Sequence, residues 1–337
     1  MAYQSKILST GMYVPPKVVT NFDLEKMMDT TDEWIQKRTG IVERHWVDAA
    51  TGTSDLALKA CENAIQKSGI KKEDIDMIIF ATLSPDHEFP GSGCFLQAKL
   101  ALGTIPCFDI RQQCSGFLYG MSLADNFIKS GQCKTILLVG AEVHSKGLDK
   151  TSRGRDVSVL FGDGAGAAII TRTEVKNKND AQIYSTHLFA DGSNAKELWV
   201  AAPGSGFNSD ARISQAMFDE GMHFPHMNGK NVFQHAVKRM AECLILGLKS
   251  NGFSIDDVDL FLFHQANLRI NQYLAQELKI PEEKIFNTIQ KYGNTTAATI
   301  PIGMADAQTA GKLKPGMLVA SAAFGSGFTW ASAVYRF

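Results

Sequence analysis

The chain has 337 residues, 45% of them apolar and 20% charged, with a formal net charge of -1. This length asks for two domains or one double-sized α/β unit, and the composition is that of an ordinary globular protein. Near-neutral charge argues against a nucleic-acid or anionic-membrane surface, and no apolar run reaches the roughly 18 residues that a membrane span requires.

The opening "MAYQSKILSTGMYVPP" has no basic stretch followed by a long apolar one, so no signal peptide is expected and the chain reads as cytoplasmic. From Ser54 to Gly69, Ala57, Cys61, Ala64 and Ile65 share one helical face, and Gly69 is a natural stop. "IDMIIFATL" (Ile75 to Leu83) then reads as a strand, and Ile105 to Ile110 as another. After Cys114, Phe117, Met121, Ala124 and Ile128 repeat at helical spacing until Gly131. "KTILLVGAEV", "GAGAAIIT" and "DLFLFH" are near-continuous apolar runs, the mark of strands covered on both faces. Between the last two, Asp191 to Gly229 breaks the alternation with Gly-Ser turns, Met217, Met222, Met227, Phe218 and Phe224. It reads either as a cap over a pocket or as a surface excursion. Ile270, Leu274 and Leu278 mark a last helical face before "YGNTTAATIP" and "FGSGFTWAS".

The chain also echoes itself. "SGIKKEDIDMIIFAT" resembles "NGFSIDDVDLFLFHQ", and "LLVGAEV…FGDGAGAAII" parallels "LVASAAFGSGFTWASAVYRF". This predicts two similar α/β halves, residues 1–172 and 173–337, joined by "EVKNKNDA" and related by a pseudo-twofold. With Asp76 matched to Asp259, Asn294 falls opposite Arg111, three residues from Cys114. The repeat therefore sets the Cys and Asn loops at equivalent strand-to-helix corners.

Six cysteines without C-x-x-C spacing, and with no histidine at finger spacing, make zinc unlikely and suggest reduced thiols. Cys114 is read against four roles: core residue, disulfide half, metal ligand and nucleophile. It stands where a strand gives way to a helix, and a helix N-terminus favours thiolate, the reactive form. His264 ends a buried strand, where α/β sheets bind ligands, although such a histidine can also only satisfy a carbonyl. The other histidines show no such placement, and His223 and His226 are expected at the surface. Asn294 follows Gly293 and reads equally as turn chemistry. The glycine clusters at Phe161 to Ala168 and Phe324 to Ser332 fit neither a P-loop nor a dinucleotide fingerprint. The second can aim a backbone N–H at a carbonyl oxygen.

"CSGFLYG", "HQANLRI", "YGNTTAATIP" and "FGSGFTWAS", in this order, resemble the β-ketoacyl-acyl-carrier-protein synthase III family, as do "TDEWIQKRTGIVERH" and "FGDGAGAA". The resemblance spans essentially the whole chain. It implies a thiolase-like, five-layered αβαβα sandwich of duplicated halves, usually a homodimer. It implies that Cys114 is the acylated nucleophile, that His264 and Asn294 are the decarboxylation pair, and that the backbone N–H groups of Cys114 and Ser326 form an oxyanion hole. Many members carry Gly where Ser326 stands, which matters only if the backbone demands Gly. Trp34, Arg38 and Thr39, with Arg153, match the region packing on the nucleotide end of CoA. Asn267 matches a pantetheine-tunnel residue, Arg269 one that docks the carrier protein, and Phe89 one that closes the partner subunit's acyl pocket. The implied reaction joins an acyl-CoA primer to malonyl-acyl-carrier protein, with no metal or redox cofactor and with a neutral His264 offering an N–H. Rival readings are a same-fold enzyme of secondary metabolism or long-chain acyl–acyl condensation, a Cys-His-Asn hydrolase, and a non-catalytic partner subunit.

Overall fold

A computed structural model describes residues 3–337. Nine strands build its two main sheets: β1 (Gln4–Tyr13), β2 (Met77–Ala81), β3 (Cys107–Ile110), β4 (Thr135–Glu142), β5 (Gly164–Thr173), β6 (Gln182–Ala190), β7 (Leu260–Phe263), β8 (Leu318–Gly325) and β9 (Thr329–Arg336). Six helices position the site: α1 (Asp32–Thr39), α2 (Thr53–Ser68), α3 (Gly116–Lys129), α4 (Gly229–Ser250), α5 (Leu268–Leu278) and α6 (Thr299–Thr309). The first sheet runs β1-β5-β4-β2-β3 and the second β7-β8-β9-β6.

The strands are apolar on both faces because both faces are covered. In β2 and β4, Ile79 and Leu138 face a central core shared with α3 and α6, while Ile78, Phe80, Leu137 and Val139 face α2. In β7 and β8, Leu262 and Val319 face the same centre, while Phe261, Phe263 and Ala320 face α4 and α5. The layers are thus helix, sheet, helix pair, sheet, helix. Phe117, Leu118, Met121 and Ile128 of α3 are fully buried between the sheets, each contributing about 1.5–3 kcal/mol of burial. At the end of α2, Gly69 takes φ 72°, the left-handed stop its sequence suggests.

The internal echo is structural. Asp76 N–H donates to Thr135 O and its carboxylate accepts the Thr135 N–H; Asp259 does the same to Leu318. The spacing from Asp76 to Asp259 also carries β4 onto β8 and the start of α3 onto the start of α6. Even β3 has a remnant in the second half, a parallel bridge from Phe261 to Ile285. β1, β6 and the long α4 carried no reading in the sequence; mixed exposure along β1 and β6 blurs their apolar alternation. The segment Asp191–Gly229 holds a two-stranded ribbon, Leu198–Val200 against Pro225–Met227. No described helix is long and apolar enough to cross a membrane.

Candidate active site

Cys114 lies in a single 3-10 turn, Gln113–Ser115, between β3 and α3. Gln113 holds φ 43°, a strained conformation for a residue with a Cβ, which persists only where the surroundings impose it. Ser115 pins the turn: its Oγ lies 2.9 Å from Gln112 O and 2.8 Å from Thr329 Oγ1, in the opposite half. Gly325 ends β8 against the sulfur. A Cβ there would meet Cys114 Cβ at 2.7 Å and Sγ at 3.0 Å, so glycine lets the halves close. The next residue, Ser326, aims its backbone N–H at the Cys114 thiol, as does the backbone N–H of Cys114 itself. Ser326 does not sit in the left-handed region, so nothing in its backbone demands glycine.

Cys114 opens onto a cavity of about 410 Å³. Leu198, Trp199 and Pro225 of the ribbon help wall it, so the Asp191–Gly229 segment is a cover rather than a surface excursion. Ser326 Oγ donates to Leu198 O and fastens that cover to the turn beside the sulfur. His144, His223 and Thr296 are polar members of the wall. This corrects the expectation that His223 is a surface residue; His226 is exposed, as expected.

His264 follows β7, and its N–H donates to Ala322 O at 2.9 Å, extending the ladder by one residue. Its Nδ1 lies 2.7 Å from Thr299 Oγ1, while Nε2 is buried with no partner. Burial holds this imidazole down at about 3, so it is neutral at neutral pH. Asn294 follows Gly293, whose φ of 62° and a would-be Cβ only 2.8 Å from Leu160 O both call for glycine. Asn294 N–H donates to Leu160 O at 2.8 Å, and its Oδ1 accepts the Thr296 N–H at 2.9 Å. That bond fixes the amide orientation and leaves the Nδ2 hydrogens as its unspent donors.

His264 and Asn294 do not line the cavity themselves; both are buried, and Thr296 joins them to its wall. Thr296 donates its N–H to Asn294 and accepts at its carbonyl from Thr299 Oγ at 3.0 Å, the same hydroxyl that meets His264. Its own Oγ1 lies 2.6 Å from His144 Nε2. One turn, Asn294–Thr299, therefore ties Asn294 and His264 to the wall of the Cys114 cavity.

The electrostatics overturn one expectation. Burial, aided by the Glu142 charge, pushes the Cys114 thiol up to about 12; the two N–H donors pull the other way and lose. The resting group is a thiol, and its proton needs an acceptor. Glu142 and His144 had no reading in the sequence. Glu142 is buried at the carboxyl end of β4, raised to about 7 by burial, and accepts from Ser84 Oγ and the Leu83 and Ser84 N–H groups. A lone acid closing an apolar strand was the available signal.

Two family models match the chain: 3-oxoacyl-[acyl-carrier-protein (ACP)] synthase III over residues 108–192, and its C-terminal part over 248–337. A β-ketoacyl-[acyl-carrier-protein] synthase III of Sulfurovum sp. is 44% identical over 330 residues, 98% of this chain and 94% of that one. One from Caldanaerobacter subterraneus subsp. tengcongensis is 42% identical over 330 residues, 98% and 97% of the two chains. The chain belongs to the β-ketoacyl-acyl-carrier-protein synthase III family. The crystal structure of the 3-oxoacyl-[acyl-carrier-protein] synthase III from Aquifex aeolicus superposes on the synthase with a TM-score of 0.89 at 41% identity, covering 99% of this chain and 100% of that one. The thiolase-like sandwich is thus its fold.

Of the remaining predicted residues of the synthase, Trp34, Arg38, Asn267 and Arg269 form a second cluster, outside the Cys114 cavity. Trp34 on α1 meets both Arg38 and Arg155, each guanidinium 4.7 Å from the ring centroid. Arg153, expected in the region that packs on CoA, bonds Asp149 at 2.5 Å and lies over Phe224. Two arginines flank Gly154, and only the tertiary packing tells them apart. Thr39 is buried, its hydroxyl spent on Ile35 O at 2.7 Å, so it anchors the end of α1 rather than meeting a ligand. Asn267 caps α5, accepting the Arg269 N–H and donating to Arg38 O. Arg269 donates to Lys37 O and Gln36 O, capping α1. Phe89 is 82% exposed and away from this chain's own cavity. Among the described residues no cluster of His, Cys, Asp or Glu is placed to hold a metal ion.

Proposed function

We propose that the synthase starts fatty-acid chains by a two-step exchange through Cys114. An acyl-CoA transfers its acyl group to Sγ, and malonyl-acyl-carrier protein then loses CO2 and attacks the acyl carbonyl. A thiol suits thioester exchange because sulfur is both nucleophile and leaving group. The backbone N–H groups of Cys114 and Ser326 converge on the sulfur, where the oxyanion of each tetrahedral intermediate forms. The Asn294 Nδ2 donors serve the thioester enolate left by decarboxylation, and loss of one such donor costs about 3 kcal/mol in comparable sites. The single observation that carries this reading is the turn Asn294–Thr299, which ties Asn294 and His264 to the wall of the Cys114 cavity. The chemistry calls for no metal or redox cofactor; phosphopantetheine arrives on CoA and on the carrier. The relatives' shared name disfavours the secondary-metabolism reading.

The test is intact-mass spectrometry after incubation with a panel of acyl-CoAs, followed by malonyl-carrier protein. The wild type gains one acyl mass and releases CO2 on the second addition, whereas Cys114→Ala gains none. An acylated Cys114→Ala, or thioester hydrolysis without CO2 release, would sink the reading.

We further infer a homodimer joined along β3. Among the described residues that strand pairs only with β2, leaving its other edge unpaired. Phe108 on that edge and Leu123 on α3 are exposed, and the loop bearing Phe89 is tied to β3 through Ser92 N–H to Asp109. Sedimentation equilibrium should give twice the chain mass, and Phe108→Lys should lower it; a monomer at micromolar wild type would refute the dimer.

A further inference from the structure

The Cys114 cavity carries a polar pair that the exchange chemistry leaves unused. His144, two residues beyond β4, and Thr296 are both buried, and both line the cavity. His144 Nε2 lies 2.6 Å from Thr296 Oγ1, and the imidazole packs on the Phe161 ring with centroids 4.5 Å apart, so the ring is fixed in place. Thr296 keeps a φ of 50°, an outlier for a β-branched residue, so its side chain is held there by the surrounding structure. Burial holds His144 down at about 3, so its ring is neutral. A neutral imidazole and a hydroxyl carry two polar hydrogens between them, and their mutual bond uses one. If Thr296 O–H donates to Nε2, the Nδ1–H is left over. If Nε2–H donates to Oγ1, the hydroxyl hydrogen is left over. Among the described residues neither Nδ1 nor Oγ1 has a second partner. In either tautomer the wall therefore presents one hydrogen whose acceptor has to come from whatever fills the cavity.

We propose that His144 and Thr296 form a specificity-determining pair that selects acyl primers bearing a neutral oxygen on the chain, such as a hydroxyl, over alkyl primers of the same length. This rests on the acyl-Cys114 reading given above and adds a primer class to it. An alkyl chain seated against the pair displaces water and leaves the spare hydrogen without an acceptor, whereas an oxygen on the chain takes it. A hydroxyl suits both tautomers best. It accepts from the pair in either, and it can give its own hydrogen to Nδ1 when that nitrogen is bare. A carboxylate fits less well. The ring has no positive charge to offer it, and Glu142, whose charge already reaches the Cys114 thiol, repels a second anion. Arg111 is the one arginine or lysine of the wall, and it is shared with Asp109.

The experiment measures single-turnover acylation of the full-length enzyme by quenched-flow intact mass, with butyryl-CoA, 3-hydroxybutyryl-CoA, 4-hydroxybutyryl-CoA and succinyl-CoA. The wild type should react with the better of the two hydroxybutyryl thioesters about tenfold faster than with butyryl-CoA. In the double variant His144→Leu with Thr296→Val, which removes both hydrogens, that ratio should fall to about one. His144→Leu alone keeps the Thr296 hydroxyl and should give a ratio between the two. Each ratio compares two primers in one protein, so a merely structural role would slow both primers alike and leave it unchanged. A wild type that reacts as fast with butyryl-CoA, or fastest with succinyl-CoA, overturns the proposal even if no variant folds. A folded double variant that keeps the wild-type ratio overturns it as well. A wild type that takes up no acyl group from any acyl-CoA overturns the synthase reading itself, which the ratios cannot do.

Discussion

Gln113 and Thr296 hold the same left-handed backbone, φ 43° and 50°, at matching positions of the two halves and both in the wall of one cavity. The spacing that separates Asp76 from Asp259 separates them as well, so the residue after Gln113, the nucleophile, corresponds to Ala297. Each half thus enters its central helix through the same strained turn, and one of the two carries a thiol. Glu142 stands where the other half has Gly325. The carboxyl fills, beside Ala297, the place that glycine leaves open beside Cys114.

The strain at Gln113 is measurable. Gln113→Gly fits a positive φ without penalty but loosens the unfolded chain, so its unfolding free energy should stay within about 1 kcal/mol of wild type. Gln113→Val, β-branched, should cost about 1–3 kcal/mol by urea denaturation. Equal stability of the Val variant and wild type would mean that the turn is not held as described.

Gly325→Ala drives a methyl group into Cys114. Part of the clash is with backbone, at 3.0 Å from Cys114 N, so a rotamer change cannot relieve it. The variant should lose about 1–3 kcal/mol of stability, and its acylation rate should fall far more than thermal melting alone predicts. Wild-type acylation would contradict the close approach of β8 to the nucleophile.

Glu142 makes stability fall as pH rises. Its folded value, raised by burial to about 7, exceeds the unfolded one near 4.5, so between these limits the folded state binds more protons. Stability from this group is full below the lower limit and declines up to the higher. The buried His264 and His144, both held at about 3, act oppositely, adding stability as pH rises towards 6.5. Comparing wild type with Glu142→Gln across pH 4.5–7.5 cancels the histidines. The difference should slope downward with pH, and a flat difference would remove Glu142 from the account.

Arg155, rather than Arg153, should govern CoA binding. Arg155→Ala removes one cation from the Trp34 face and should raise the KM for acyl-CoA several-fold, leaving kcat near wild type, since a group far from the sulfur contributes uniform binding. Arg153→Ala loses a half-exposed ion pair and should change KM less than twofold. Steady-state kinetics with both variants decides, and the reverse ranking would restore Arg153.

The sequence by itself determined the duplicated α/β plan, because apolar strands covered on both faces leave unbroken runs that survive in both halves. It also singled out Cys114, His264 and Asn294 as candidates from their local glycine and small-residue context, with a structural reading left open for each, and the family resemblance assigned their roles. Only the tertiary structure decided the protonation of that thiol, since desolvation depends on what packs around a group and not on its neighbours in the chain. The same holds for which arginine meets Trp34, for Thr39 being spent inside its helix, and for His144 and His223 reaching the cavity. Each of these is a contact between segments far apart in sequence, and such contacts have no periodicity to read.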